Sequence, residues 1–177
     1  IDTCTEVASV TLYSSGVRLS RVLTNIEKSS GHILKLCDEV FNESGKKLND
    51  VDLIAYSKGP GAFTGVRMCI GVVQGLSLAC SIPTIGFSTL ELLGFRASKI
   101  LKAEKIAVAL DARMGEVYWA VYDHGVLSNM KICSPEDVDN LGVDFVGVGT
   151  GWSAHNDKLQ TATNIKITDL AIYPESS

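Results

Sequence analysis

The five cysteines of this sequence (Cys4, Cys37, Cys69, Cys80 and Cys133) form no Cys-x-x-Cys pair. An odd number in this arrangement excludes a disulfide frame and a zinc knuckle, and it points to reduced, mostly buried thiols. The three histidines, His32, His124 and His155, lie far apart with no His-x-x-x-His spacing, so no metal site is expected. Positive charge is short as well. Sixteen Lys and Arg against 20 Asp and Glu leave a net charge of −4, whereas sequence-blind binding to nucleic acid needs the opposite surplus. The most apolar helical stretch, residues 68–80, is interrupted by Gln74 and too short to span a bilayer. No charged-then-apolar signal segment opens the chain. What is present is an apolar fraction of 46%, enough for a real core, which excludes wholesale disorder. The expectation is a soluble, cytoplasmic, globular protein without membrane contact.

Strand and helix patterns alternate along all 177 residues. Residues 1–13 read as a strand end, a polar turn and a second strand, closed by a hairpin turn at Ser14-Ser15-Gly16. Ile33, Leu34, Leu36, Cys37, Val40 and Phe41 fall at helical spacing, with Gly45 as a stop. Residues 51–56 form a short apolar strand, and a glycine-rich turn leads into a helix over about 66–80. Ser88-Thr89-Leu90-Glu91 has the capping-box pattern that starts a helix near Thr89. Strands are predicted at 106–110, 116–122 and 143–148, and a helix start at Ser134-Pro135-Glu136-Asp137. The polar segment 96–105 is the expected seam, dividing an N-terminal α/β half (1–100) from a C-terminal one (101–177). The fold class is α/β with hairpins.

Gly59-Pro60-Gly61-Ala62-Phe63-Thr64-Gly65-Val66-Arg67 is the most informative run. Gly59 and Gly61 permit positive φ or a close backbone approach, and Pro60 fixes its own φ between them. Such a turn offers free N–H groups to an anion at a helix start. It is not a Walker loop, because no Gly-Lys-Ser/Thr follows. In the helix behind it, Gly71, Gly75 and Ala79 recur every four residues. Glycine inside a helix costs roughly 1 kcal/mol relative to alanine, so two on one face require a close neighbour, in the same chain or in another subunit. Both readings stand at this point.

Three segments then resemble the TsaB (YeaZ-like) family of bacterial tRNA threonylcarbamoyladenosine biosynthesis. They are Ile1-Asp2-Thr3-Cys4-Thr5, the run Gly59 to Arg67, and Asp111-Ala112-Arg113-Met114-Gly115-Glu116-Val117-Tyr118-Trp119. Residues 147–152 resemble a fourth family segment. The resemblance implies an actin-like, sugar-kinase-type (ASKHA) architecture of two α/β halves facing a cleft, the second incomplete in this chain. It implies a non-catalytic subunit needed for threonylcarbamoyl transfer to adenosine 37 of tRNA, partnered by a metal-bearing TsaD-like catalytic subunit and a TsaE-like ATPase. No cofactor is expected on this chain alone, since ATP and metal would belong to the partners, and tRNA would be met only through the complex. Alone, the chain would form a homodimer. The family uses the helix after the glycine turn at its subunit interface, which places Arg67, Gly71, Gly75 and Ala79 there. Two departures stand out: Ala62 replaces the usual Ser, and Ser29 an often-found His.

No Cys or Ser nucleophile with a base and a third orienting group can be assembled. Asp2 and Asp111 each follow an apolar strand and precede a turn, where actin-like ATPases hold carboxylates around phosphate and magnesium. With Thr3, Thr5 and Arg113 they mark a vestigial phosphate site; the competing reading is two strand-end aspartates accepting backbone N–H bonds. Arg113 and Glu116 either pair across their hairpin or face a partner. Tyr118 and Tyr122 share one strand face and Trp119 the other, as core packing requires. The alternative function is an active ATP-dependent small-molecule kinase or ATPase of the same fold.

Overall fold

A computed structural model describes residues 1–24, 32–169 and 172. Ser29 lies outside them. The chain divides into two compact units, one built on Ile1–Thr89 and the other on Leu90–Tyr173. That division falls ahead of the seam expected at 96–105, and the reason is packing. Leu90, Leu93 and Ala97 sit three and four residues apart and join the core of the second unit, so the polar residues of that stretch are the outer side of a helix.

In the first unit, β1 (Val7–Ser14) and β2 (Val17–Thr24) form an antiparallel hairpin. Its turn residues Ser15 and Gly16 both take positive φ, as the twist of a two-residue hairpin requires. β3 (Ile54–Ser57) pairs in parallel with β4 (Thr84–Phe87). Residues 1–2 join the two pairs. Asp2 and Ser9 exchange backbone bonds of 2.9 and 2.8 Å, while the Ser57 N–H donates to Ile1 O at 3.0 Å. α1 (Ile33–Ser44) buries Ile33, Leu36, Cys37 and Val40 against Val10, and ends at Gly45 with φ 68. α2 (Phe63–Cys80) buries Cys69 and Val73 against Ile54 and Ile82. This helix starts three residues before the expected Val66. Gly65 reads as a turn residue in sequence, yet it is part of the first helical turn.

The second unit holds a five-stranded sheet of β5 (Lys105–Arg113), β6 (Glu116–Asp123), β7 (Val126–Cys133), β8 (Val146–Val148) and β9 (Ile167–Asp169), in the order β7-β6-β5-β8-β9. α3 (Thr89–Leu101) contributes to the core on one face and α4 (Thr150–Thr163) to the core on the other. β5 is therefore buried on both sides, Ile106, Val108 and Leu110 in one core and Ala107 and Ala109 in the other. Trp119 shares the second core with Trp152 at a ring-centroid distance of 6.4 Å, opposite Tyr122 as the alternation predicts. Trp152 needs its glycines. A Cβ on Gly147 would lie 2.4 Å from the Trp152 ring, and Trp152 Nε1 donates to Ala107 O at 3.0 Å. Two expectations shrink. The helix start at Ser134 is only a 3-10 turn, Pro135–Asp137, because Val138 returns to extended backbone to enter the core. The strand predicted at 143–148 keeps three residues.

Candidate functional site

In the first unit the N-terminal segment and the glycine turn lock together through glycine. A Cβ on Gly61 would lie 2.0 Å from Cys4 O, and one on Gly65 would lie 2.0 Å from Thr3 O. No side chain fits either place. The Ala62 N–H donates to Cys4 O at 2.8 Å, and the Thr3 hydroxyl donates to Gly65 O at 2.7 Å. The turn thus spends one of its N–H groups, and Thr3 its hydroxyl, on the chain itself. Gly59 takes φ 94 and its carbonyl accepts the Thr89 N–H at 2.9 Å. Ala62 stands at the N-cap of α2, where its methyl makes no cap bond.

Asp2 lies in this knot, 1% exposed. Its Oδ1 accepts the Cys4 N–H at 2.8 Å, the two-residue turn of a strand-end aspartate. Its Oδ2 is buried and has no hydrogen bond among the described residues. Burial raises the Asp2 pKa to about 6, outweighing the Cys4 N–H and the nearby Ser57, which favour the ionised form. The Ser57 hydroxyl itself bonds Thr89 Oγ1 at 2.8 Å. Next to it the buried Cys4 thiol donates to Ser57 O at 3.3 Å and the Cys69 thiol to Ile1 O at 3.5 Å; the interaction of the two neighbouring sulfurs lowers the pKa of Cys4 and raises that of Cys69.

The raised Asp2 value has a consequence for stability. The native state holds this proton between pH 3.8 and about 6, where the unfolded chain has released it, so stability falls as pH rises through that window. The expected loss is about 3 kcal/mol at roughly 1.4 kcal/mol per unit. Denaturant titrations at pH 5 and pH 7 should show the protein more stable at pH 5, and Asp2→Asn should flatten the difference. An unchanged pH profile in Asp2→Asn would refute the assignment.

In the second unit Asp111 satisfies itself. Its Oδ1 accepts the Arg113 N–H at 2.9 Å and its Oδ2 the Arg113 guanidinium at 3.0 Å. Arg113 therefore pairs with Asp111 and not with Glu116 across the hairpin, because a bulge between Asp111 and Arg113 turns the two side chains together. The Asp111 N–H donates to Thr150 Oγ1 at 3.1 Å, a partner sequence reading missed, as it missed Ser57 and Thr89 beside Asp2. Thr5 is buried, with Oγ1 3.5 Å from the Val7 N–H. Among the described residues no group of three His, Cys, Asp or Glu side chains is placed to hold a metal.

The exposed side of α2 is the other candidate. Gly71 and Gly75 have nothing within 4 Å of a built Cβ, so the bare strip does not pack on a helix of its own chain among the described residues. Around it Phe63 is 71% exposed and Leu78 83%. At 18 residues α2 is long and apolar enough to cross a membrane, longer than the sequence suggested, but its other side carries the buried Gly65, Cys69 and Val73.

Comparison with known proteins decides the family. The sequence model of TsaD, tRNA N6-adenosine threonylcarbamoyltransferase, matches residues 24–173. The tRNA threonylcarbamoyladenosine biosynthesis protein TsaB of Escherichia coli K12 is 38% identical over 167 residues, covering 89% of this chain and 72% of the relative. The chain belongs to the TsaB family. TsaB of Haemophilus influenzae is 34% identical over 187 residues, with 97% of this chain and 78% of the relative covered. The solved YeaZ of Pseudomonas aeruginosa matches 99% of this chain and 84% of its own, with TM-score 0.85 and 35% identity. The actin-like α/β architecture implied by the resemblance is therefore the fold of this TsaB-family chain.

Proposed function

We propose that this chain serves tRNA threonylcarbamoyladenosine biosynthesis in the cytoplasm as a non-catalytic subunit, holding a TsaD-like catalytic partner on the exposed face of α2. The observation that carries this reading is the bare strip itself: two glycines inside a helix, each costly to helix stability, with no neighbour among the described residues to explain them. Family membership names the pathway through the relatives, which are biosynthesis proteins of that name. In this reading ATP and metal sit on the partner subunits, a TsaE-like ATPase is the third member, tRNA is met only by the complex, and the free chain pairs with a second copy of itself. The test is native mass spectrometry of the protein alone and mixed with the TsaD-like protein of the same cell. A heteromer growing at the expense of a homodimer is expected, and no heteromer at micromolar concentration overturns the proposal.

One observation favours the kinase alternative, the buried Oδ2 of Asp2 at the strand end, which has no hydrogen bond among the described residues. Against it, the Thr3 hydroxyl and one N–H of the glycine turn are engaged within the chain. ATP retained on the lone chain in the same spectra would decide for the kinase.

A further inference from the structure

The exposed face of α2 carries one charge. From Phe63 to Cys80 the helix contains no acidic residue, and Arg67 is its single basic one. Arg67 stands in the same four-residue register as Phe63, Gly71, Gly75 and Ala79, so it lies on the bare strip. Its guanidinium is stacked 3.2 Å from the centroid of the exposed Phe63 ring, with one N–H donated to Phe63 O at 3.3 Å. Among the described residues no carboxylate forms an ion pair with it. The stack holds the planar fork in place and leaves its remaining N–H groups without an acceptor among the described residues.

Burying that face against another subunit takes the guanidinium out of water, which is unfavourable unless a counter-charge meets it. We infer that the partner seated on α2 presents an Asp or Glu carboxylate to Arg67, so that this ion pair, stacked on Phe63, selects the partner among apolar helices that would otherwise fit the strip. The inference rests on the α2 reading above and adds the chemistry of the partner's surface. The occupant is a different subunit. In the competing homodimer a second copy offers no acid from a facing α2, and of the three acids in α1 Glu39 and Glu43 are bound to Arg21, which leaves Asp38 alone, so the heteromeric partner is the one that supplies the matching charge. Specificity of this kind works through what it rejects: a helix with Lys, or with nothing polar, leaves a buried unpaired charge.

The test is a native mass spectrometry titration of this chain against the TsaD-like protein of the same cell, with circular dichroism confirming that every variant folds. Arg67→Gln should weaken the heteromer about 30-fold or more, the range for removing one member of a desolvated pair. Arg67→Glu should weaken it further, and replacing one Asp or Glu of the partner by Arg should restore binding to Arg67→Glu alone. Arg67→Gln binding as tightly as the unsubstituted chain, while Gly75→Leu does not bind, would overturn the inference and leave the α2 interface standing. If Gly75→Leu also binds unchanged, the α2 reading is what has failed. Rescue of Arg67→Glu by Asp38→Arg within the chain's own homodimer would assign the carboxylate to a second copy and overturn the heteromeric form.

Discussion

Gly65→Ala and Gly61→Ala are each expected to destabilise the first unit by about 3 kcal/mol or more, whereas Gly71→Ala and Gly75→Ala should stabilise it by roughly 0.5–1 kcal/mol. All four are the same chemical change, and it removes similar freedom from the unfolded chain each time. The difference in sign therefore reports native contacts alone. At 61 and 65 the new methyl would stand 2.0 Å from a backbone carbonyl, of Cys4 and of Thr3. Neither carbonyl can retreat easily: Cys4 O holds the Ala62 N–H, and Thr3 lies between Asp2, paired with Ser9, and the Cys4 amide bound to Asp2. At 71 and 75 the methyl meets nothing, and the helix gains a better helix former. Thermal denaturation checks both halves of the prediction, with a fall of roughly 10 °C for the first pair and a rise of a few degrees for the second. Equal shifts for all four would mean that the N-terminal knot is not held by glycine.

That contrast also shows where sequence reading stops. The run from Gly59 to Gly65 is recognisable as a tight turn because glycine and proline act locally. Local pattern predicted a positive φ or a close approach, and the structure divides these between Gly59 and Gly61. What glycine approaches is a long-range fact: residues 3 and 4 meet 61 and 65 from far away in the sequence. α1 and β5 were legible for the same local reason, a clear helical period in one and an unbroken apolar run in the other. The boundary between the units was not, since Arg96, Ser98 and Lys99 look like a linker until Leu90, Leu93 and Ala97 are seen to pack. Asp2 and Asp111 occupy equivalent strand ends in sequence yet differ in their partners. Asp111 has Arg113 two residues on to satisfy its second oxygen, whereas among the described residues the second oxygen of Asp2 is buried without a hydrogen bond.

Gly75→Leu should leave the fold intact and weaken assembly with the TsaD-like subunit by roughly 5- to 150-fold, the equivalent of about 1–3 kcal/mol of overpacking. The argument needs both halves. Among the described residues there is open space at this Cβ, and Gly75 lies on the exposed side of α2, so the denaturation midpoint should hold or rise. In an assembly the strip of Gly71, Gly75 and Ala79 has value only if another backbone comes close, since helices without side chains between them approach nearer than the usual 8–10 Å. A leucine holds them apart and forfeits dispersion contacts along the strip. Gly75→Ala sharpens the case, because it should raise the stability of the free chain while lowering its affinity for the partner. A single methyl that moves the two quantities in opposite directions is what an interface glycine predicts and a merely tolerated surface glycine does not. Calorimetric titration beside thermal denaturation of the same samples measures both, and unchanged affinity in Gly75→Leu would remove α2 from the interface.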